Sequence, residues 1–237
     1  MLEKLKDRVY RQNILLVKHG LVVLTWGNVS AIDREHNLVV IKPSGVDYDA
    51  MTADDMVVVD LDGNVVQGEK RPSSDTPTHL YLYKTFADVG GIVHTHSTYA
   101  TAWAQSGRSI PPYGTTHADF AFGDIPVTRS LTKAETEIDY ESNTGKVIAE
   151  AFRDNDISRL PAVLVKNHGP FVWGDTPEKA VQNAVVLEEV AKIAALTEAI
   201  GGKGNRVDDA LLKKHFDRKH GANAYYGQPQ SCGIREN

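Results

Sequence analysis

Two histidines one residue apart, His94 and His96, follow the apolar run Gly91-Ile92-Val93, and a third, His168, follows the apolar run Ala162-Val163-Leu164-Val165. Residues two apart on a β-strand face the same side with Cα atoms roughly 6.5 Å apart, so the paired imidazoles project together while Thr95 faces away. Three imidazoles at strand ends suit a catalytic zinc, because three protein ligands leave a coordination position open for substrate. A lone histidine at a strand end is more commonly a hydrogen-bonded structural residue. The alternating pair shifts that balance, since a buried strand seldom carries two polar rings side by side without a partner.

Three short polar segments are candidates for holding an anion. Gly27-Asn28 follows the apolar segment that starts at Leu21, Lys42-Pro43-Ser44-Gly45 follows the run at Leu38, and Ser73-Ser74-Asp75 precedes a helix start, where free N–H groups and the helix dipole favour negative charge. Each also has the composition of an ordinary turn, and only Lys42 adds a charge that a turn does not need. For proton transfer, Thr115-Thr116-His117-Ala118-Asp119 offers a carboxylate and Tyr225-Tyr226 offers two phenols. A carboxylate and a phenol can form an acid/base pair if both reach the substrate; Asp119 can equally cap a turn, and the tyrosines can pack a tail.

The elements that must position these residues follow from periodicity and punctuation. Leu2, Leu5, Val9 and Leu16 share a helical face that ends near His19-Gly20. Segments 21–25, 29–33 and 38–41 read as short strands of an antiparallel meander, and Asp62-Gly63 marks a hairpin between 56–61 and 64–66. Thr76-Pro77 predicts a capped helix to about Phe86, and Ser97 or Thr98 a helix through Gln105. Further helices are expected at 144–152, from Asp175-Thr176-Pro177-Glu178 to about Ile200, and at 207–219. The alternation predicts an α/β chain with a mixed sheet flanked by helices.

The chain has 237 residues, 41% hydrophobic and 24% charged, with a formal net charge of -5, which is globular composition and gives no support for nucleic-acid binding. No run approaches the roughly 18 apolar residues of a membrane span and no secretory signal opens the chain, so a cytoplasmic location is expected. The single cysteine, Cys232, excludes both a disulfide framework and a cysteine metal cluster.

The combined pattern is specific. Trp26-Gly27-Asn28-Val29-Ser30, Lys42-Pro43-Ser44-Gly45-Val46, Pro72-Ser73-Ser74-Asp75-Thr76-Pro77-Thr78-His79, Gly91-Ile92-Val93-His94-Thr95-His96-Ser97, Gly114-Thr115-Thr116-His117-Ala118-Asp119, Asn167-His168-Gly169-Pro170 and Arg218-Lys219-His220-Gly221-Ala222 with Tyr225-Tyr226-Gly227-Gln228 occur in this order. Together they resemble the L-ribulose-5-phosphate 4-epimerases of the class II aldolase/adducin-head superfamily. The resemblance spans residues 1–228 as a single domain and leaves a polar tail, 229–237, expected to lack regular structure.

The resemblance implies a three-layer α/β sandwich with a central, mainly antiparallel sheet, assembled as a homotetramer with active sites between subunits. It implies His94, His96 and His168 as zinc ligands, with Asp75 beside the metal or on it, and manganese or cobalt as alternative ions. Gly27, Asn28, Lys42, Ser44, Gly45, Ser73, Ser74 and Asp75 match positions around a small phosphorylated ketopentose, and Thr116, His215 and Arg218 match supporting positions. Asp119 and Tyr226 match the acid/base pair, the tyrosine coming from an adjacent subunit. The implied reaction is retro-aldol cleavage of C3–C4, rotation of glycolaldehyde phosphate and re-addition, a chemistry used in arabinose and ascorbate catabolism. The alternatives are a class II sugar-phosphate aldolase that releases the fragments, in which glutamate is usual where this chain has Asp75, and a non-catalytic interaction module.

Overall fold

A computed structural model describes residues 2–227; the expected tail at 229–237 and Cys232 lie outside them. The chain opens with α1 (Leu2–Lys18), and β1 (Asn28–Asp33), β2 (Leu38–Ile41), β3 (Val57–Asp60) and β4 (Val65–Gln67) follow. Next come α2 (Thr76–Thr85), β5 (Gly91–His94), α3 (Thr98–Ser106), α4 (Thr115–Ala118), α5 (Lys133–Glu137) and α6 (Tyr140–Ala151). It closes with β6 (Ala162–Leu164), β7 (Pro170–Gly174), α7 (Pro177–Gly201) and α8 (Asp209–His220). The strands form a seven-stranded sheet in the order β4-β3-β2-β1-β5-β7-β6, with every neighbouring pair antiparallel. The fold is thus α/β, an antiparallel sheet flanked by helices.

Strand alternation assigns the two faces. Val39, Val57 and Val59 enter the larger core with Ile92, Phe171 and Leu187, whereas Val40 and Val58 enter a smaller one with Val9 of α1 and Met56. The β3–β4 connection is the expected hairpin: the Asp60 carboxylate accepts from the amides of Asp62 and Asn64, and Gly63 takes the φ of +91° that the turn requires.

Three expectations need correction. Segment 21–25 is not a strand, because β1 is already paired on both edges by β2 and β5; Leu21 is buried, Val23 and Leu24 are exposed, and Leu24 is left-handed at φ +52°. Strand β5 ends at His94, so His96 lies just beyond it; pairing with β1 stops at Asn28, where the partner chain turns away through Gly27. Thr76 does not cap α2 but is its first residue, with Asp75 in the cap position and the Thr76 hydroxyl donating to the Ser73 carbonyl. Strand β7 and the short helices α4 and α5 were not foreseen, and α6 starts four residues before Thr144.

Helix α6 packs closely on α2 at Gly145, where an added Cβ would lie 2.6 Å from the Tyr81 Cβ. Helix propensity favours alanine over glycine by about 1 kcal/mol, but overpacking of this kind costs about 1–3 kcal/mol. Gly145→Ala is expected to lower the urea midpoint; an unchanged or raised midpoint would show that this contact does not set the α2–α6 spacing.

Candidate metal centre and active site

The three histidines converge although they come from two separate segments. Their ligand atoms lie within 4.8 Å of one another, and the His94 and His96 Nε2 atoms are 3.1 Å apart. His94 is fixed from behind: its Nδ1–H donates to the Pro170 carbonyl at 3.0 Å and its ring stacks on Phe171 with centroids 4.3 Å apart. His168 sits in the β6–β7 turn after Asn167, which adopts φ +63°, and its Nδ1 lies 3.3 Å from the Tyr140 hydroxyl. With its outer nitrogen so engaged, His94 turns Nε2 towards the Nε2 of His96.

This donor set fits a divalent ion. Two imidazole lone pairs facing each other repel unless a proton or a cation lies between them. Metal–nitrogen arms of about 2.0–2.1 Å at a tetrahedral angle separate ligand nitrogens by about 3.3 Å, close to the observed spacing. Burial, reinforced by His94 and His96, drives the His168 pKa down to about 3, and burial with His94 lowers that of His96, so both rings are neutral ligands near pH 7.

Asp75 stands beside the cluster. Burial alone would raise its pKa, but His94 and His79, together with the Asn28 amide donating at 2.7 Å, bring it below the ordinary carboxylate value and keep it ionised. Asn28 also donates to Ser73 Oγ at 3.1 Å, joining β1 to the segment before α2.

These groups line a cavity of about 500 Å³. Of the residues expected at the site, Gly27, Asn28, Lys42, Ser44, Gly45, Ser73, Ser74, Asp75, His94, His96 and His168 all border it. Ser44, Gly45 and Ser74 are exposed at its rim. Lys42 departs from expectation in its role: it is 1% exposed, and its ammonium donates to the carbonyls of Pro43 and Val46 and sits 4.7 Å from the centre of the Tyr48 ring. It therefore folds the loop that carries Ser44 and Gly45. Tyr48, in turn, donates to the carbonyls of Trp26 and Gly27 at 3.1 and 2.9 Å, so one buried unit ties two cavity walls together.

The remaining expected residues are not on this cavity within one chain. Arg218 of α8 holds Asp119 at 2.6 Å, His215 holds it at 3.0 Å, and Tyr226 lies against the Arg218 guanidinium at 4.3 Å. Thr116, on α4, borders a separate small pocket with Tyr113 and Val190. Residues that sequence reasoning missed are Thr25, Trp26, Pro43, Tyr140 and Glu141. For Glu141 the only signal was an acid near a helix start, which ordinarily complements the dipole; Trp26 was quoted in a motif without a role.

A family profile described as Class II Aldolase and Adducin N-terminal domain matches residues 7–195. The chain belongs to this family. The class II aldolase fold is shared with an L-fuculose 1-phosphate aldolase that is 30% identical, with TM-score 0.77 over 91% of this chain and 95% of that one. An L-fuculose 1-phosphate aldolase from Glaciozyma antarctica PI12 is 23% identical, TM-score 0.74, over 91% of this chain and 81% of that one. YgbL from Klebsiella pneumoniae, titled a putative aldolase/epimerase/decarboxylase, is 23% identical, TM-score 0.71, over 89% and 97%. Membership of this family places the chain in a superfamily that includes aldolases and epimerases, which supports an enzyme and agrees with a divalent-metal site.

His79 and His117 are also buried as neutral rings, their pKa values lowered by desolvation to about 3 and about 4. The folded state thus binds fewer protons than the unfolded one once pH falls below about 6.5. Stability of metal-free protein is therefore expected to be full above pH 6.5 and to fall towards pH 4, by up to about 1.4 kcal/mol per pH unit for each such histidine. Urea midpoints measured from pH 7 to pH 5 check this, and His117→Gln should flatten the slope; a level profile in wild-type protein would contradict the neutral-ring assignment.

Proposed function

We propose that this enzyme is a metal-dependent 4-epimerase that interconverts L-ribulose 5-phosphate and D-xylulose 5-phosphate. The observation that carries the reading is an ionised Asp75 beside three converging imidazoles, in a cavity rimmed by Ser44, Gly45 and Ser74. C4 of the substrate has no acidic C–H, because the ketone is at C2. Inversion at C4 therefore goes through cleavage of C3–C4 and re-addition on the opposite face.

The residues divide the work. Ser44, Gly45, Ser73 and Ser74 hold the phosphate, so that the aldehyde fragment turns over without leaving. His94, His96 and His168, with Asp75 beside them, hold zinc, or manganese or cobalt. A divalent ion bound there supplies a Lewis acid that stabilises the negative charge on the ketone fragment. Asp119 and Tyr226 move protons on the two faces. Both are attached to Arg218 and neither borders the cavity of its own chain, which supports a homotetramer in which a neighbouring copy brings them in together.

Incubation with L-ribulose 5-phosphate, followed by NMR, should show D-xylulose 5-phosphate without accumulation of glycolaldehyde phosphate; free fragments would make the enzyme a sugar-phosphate aldolase instead. His96→Asn is expected to lose most of its metal on dialysis while keeping its fold. Tyr226→Phe should keep metal yet turn over about 100-fold more slowly, a barrier increase of about 2.7 kcal/mol. Wild-type rates in Tyr226→Phe would remove the tyrosine from the mechanism.

A further inference from the structure

We propose that Tyr140 is a positioning residue for His168, fixing through its hydroxyl which imidazole nitrogen of that ring faces the metal centre. The inference rests on the metal-centre reading above and extends it to a residue with no role there. Two of the three rings are anchored on the nitrogen that points away from the cluster. His94 Nδ1 is fixed by the Pro170 carbonyl, which is rigid backbone. His168 Nδ1 has the Tyr140 hydroxyl at 3.3 Å, a side chain delivered by a different element. A histidine ligand whose second nitrogen is unheld can rotate or adopt the wrong tautomer; holding it fixes both.

The placement of Tyr140 is built by a set of local hydrogen bonds and one contact distant in sequence. It is the first residue of α6 and follows Asp139, a non-glycine residue in the left-handed conformation at φ +56°, ψ +52°. Such a conformation persists only when its surroundings over-determine it. Here the Ser142 hydroxyl donates to the Asp139 side chain at 2.8 Å, and the Asn143 side chain donates to the carbonyls of Ile138 and Glu135 at 2.6 and 3.0 Å. Thr78 of α2 donates to the Glu141 carbonyl at 2.7 Å, tying the start of α6 to the helix that begins beside Asp75. Asn167, before His168, and Leu24, before Thr25 and Trp26, are also left-handed non-glycine residues next to the cavity wall. Among the described residues, three of the four such positions thus flank this one site, the fourth being Asn37.

Chemistry favours a phenol at this point. A phenol is a neutral hydroxyl near pH 7, and at 3.3 Å its oxygen can accept from His168 Nδ1–H. Its own proton is then free to donate into the cavity it borders, towards a substrate oxygen. The His94 anchor cannot do this, because a carbonyl only accepts.

The test is zinc affinity, read by competition with a fluorescent chelator. Tyr140→Phe keeps the ring and removes only the hydroxyl, and it is expected to weaken zinc binding about 10- to 100-fold, the usual cost of losing such a partner. Thr78→Val, which releases the α6 start without touching the cavity, should weaken zinc binding in the same direction by a smaller factor. Melting temperatures of the metal-free variants separate a loss of zinc from a loss of fold. Equal zinc affinity in Tyr140→Phe and wild type would overturn the Tyr140 assignment while leaving the metal centre standing. Wild-type protein that takes up no zinc would overturn both.

Discussion

Three chain segments meet in van der Waals contact at the end of β5, and the rest of the site depends on that approach. A Cβ on Gly27 would lie 2.9 Å from the His94 carbonyl oxygen, and one on Gly169 would lie 2.7 Å from that of Thr95. Both distances are to backbone, which cannot swing aside as a flexible side chain can. Glycine on each flank therefore lets the turn before β1 and the β6–β7 turn close on the same two residues. That closeness carries Asn28 to one side of the imidazoles and His168 to the other. Phe171, fully buried beneath His94, supplies the floor against which the rings stand.

A second constraint sets the rotation of α2 about its axis. Asn28 and Ser30 lie two apart on β1, and Asp75, His79 and Tyr83 lie four apart on or just before α2. The rise over two strand residues, about 6.6 Å, nearly equals the 6 Å over four helical residues. The first two rungs therefore match: Asn28 donates to Asp75 at 2.7 Å and Ser30 meets His79 at 2.7 Å, while Ser30 also reaches Tyr83, one turn further on, at 2.8 Å. Buried polar groups are costly when unpaired and directional when paired. The ladder thus turns Asp75 to the cavity, which an apolar interface of the same size would do less stringently.

What was legible in the sequence was chiefly what is local. The residue types at 94, 96 and 168 pointed to a metal, and the turns at 27–28, 44–45 and 73–75 do border one cavity with them. Apolar periodicity found α1 and α8, the start signal at Asp175-Thr176-Pro177-Glu178 found α7, and β-branched runs between turn formers found β1–β4. The last of these signals misread 21–25, where apolar composition was right for a strand but both edges of β1 were taken. Lys42 was read by its charge as an anion ligand, whereas burial hands that charge to two carbonyls and an aromatic ring. Tyr140 left no trace, because Thr78 and the Asn143 side chain fix its position across contacts that no local pattern encodes.

The charges around the cavity lead to a coupling between its two halves. Lys42 is the only lysine or arginine among the described residues on the wall, and its ammonium is buried and occupied by carbonyls. Asp75 and Glu141 border the same space, the first held ionised. A phosphorylated sugar entering this cavity would therefore meet no exposed lysine or arginine among its described lining residues, only hydroxyls and amides at the rim and carboxylate charge further in. Hydroxyl and amide donors select geometry, but in a region with negative charge they attract an anion weakly. A divalent ion held by these three histidines would reverse that sign locally, since imidazole ligands bring no negative charge to cancel its own. Binding of an anionic substrate and binding of a metal would thereby be linked, each raising the affinity for the other by the same factor. The neutrality of His96 and His168, which at first sight only readies them as ligands, is also what leaves the full charge of the ion available to the substrate.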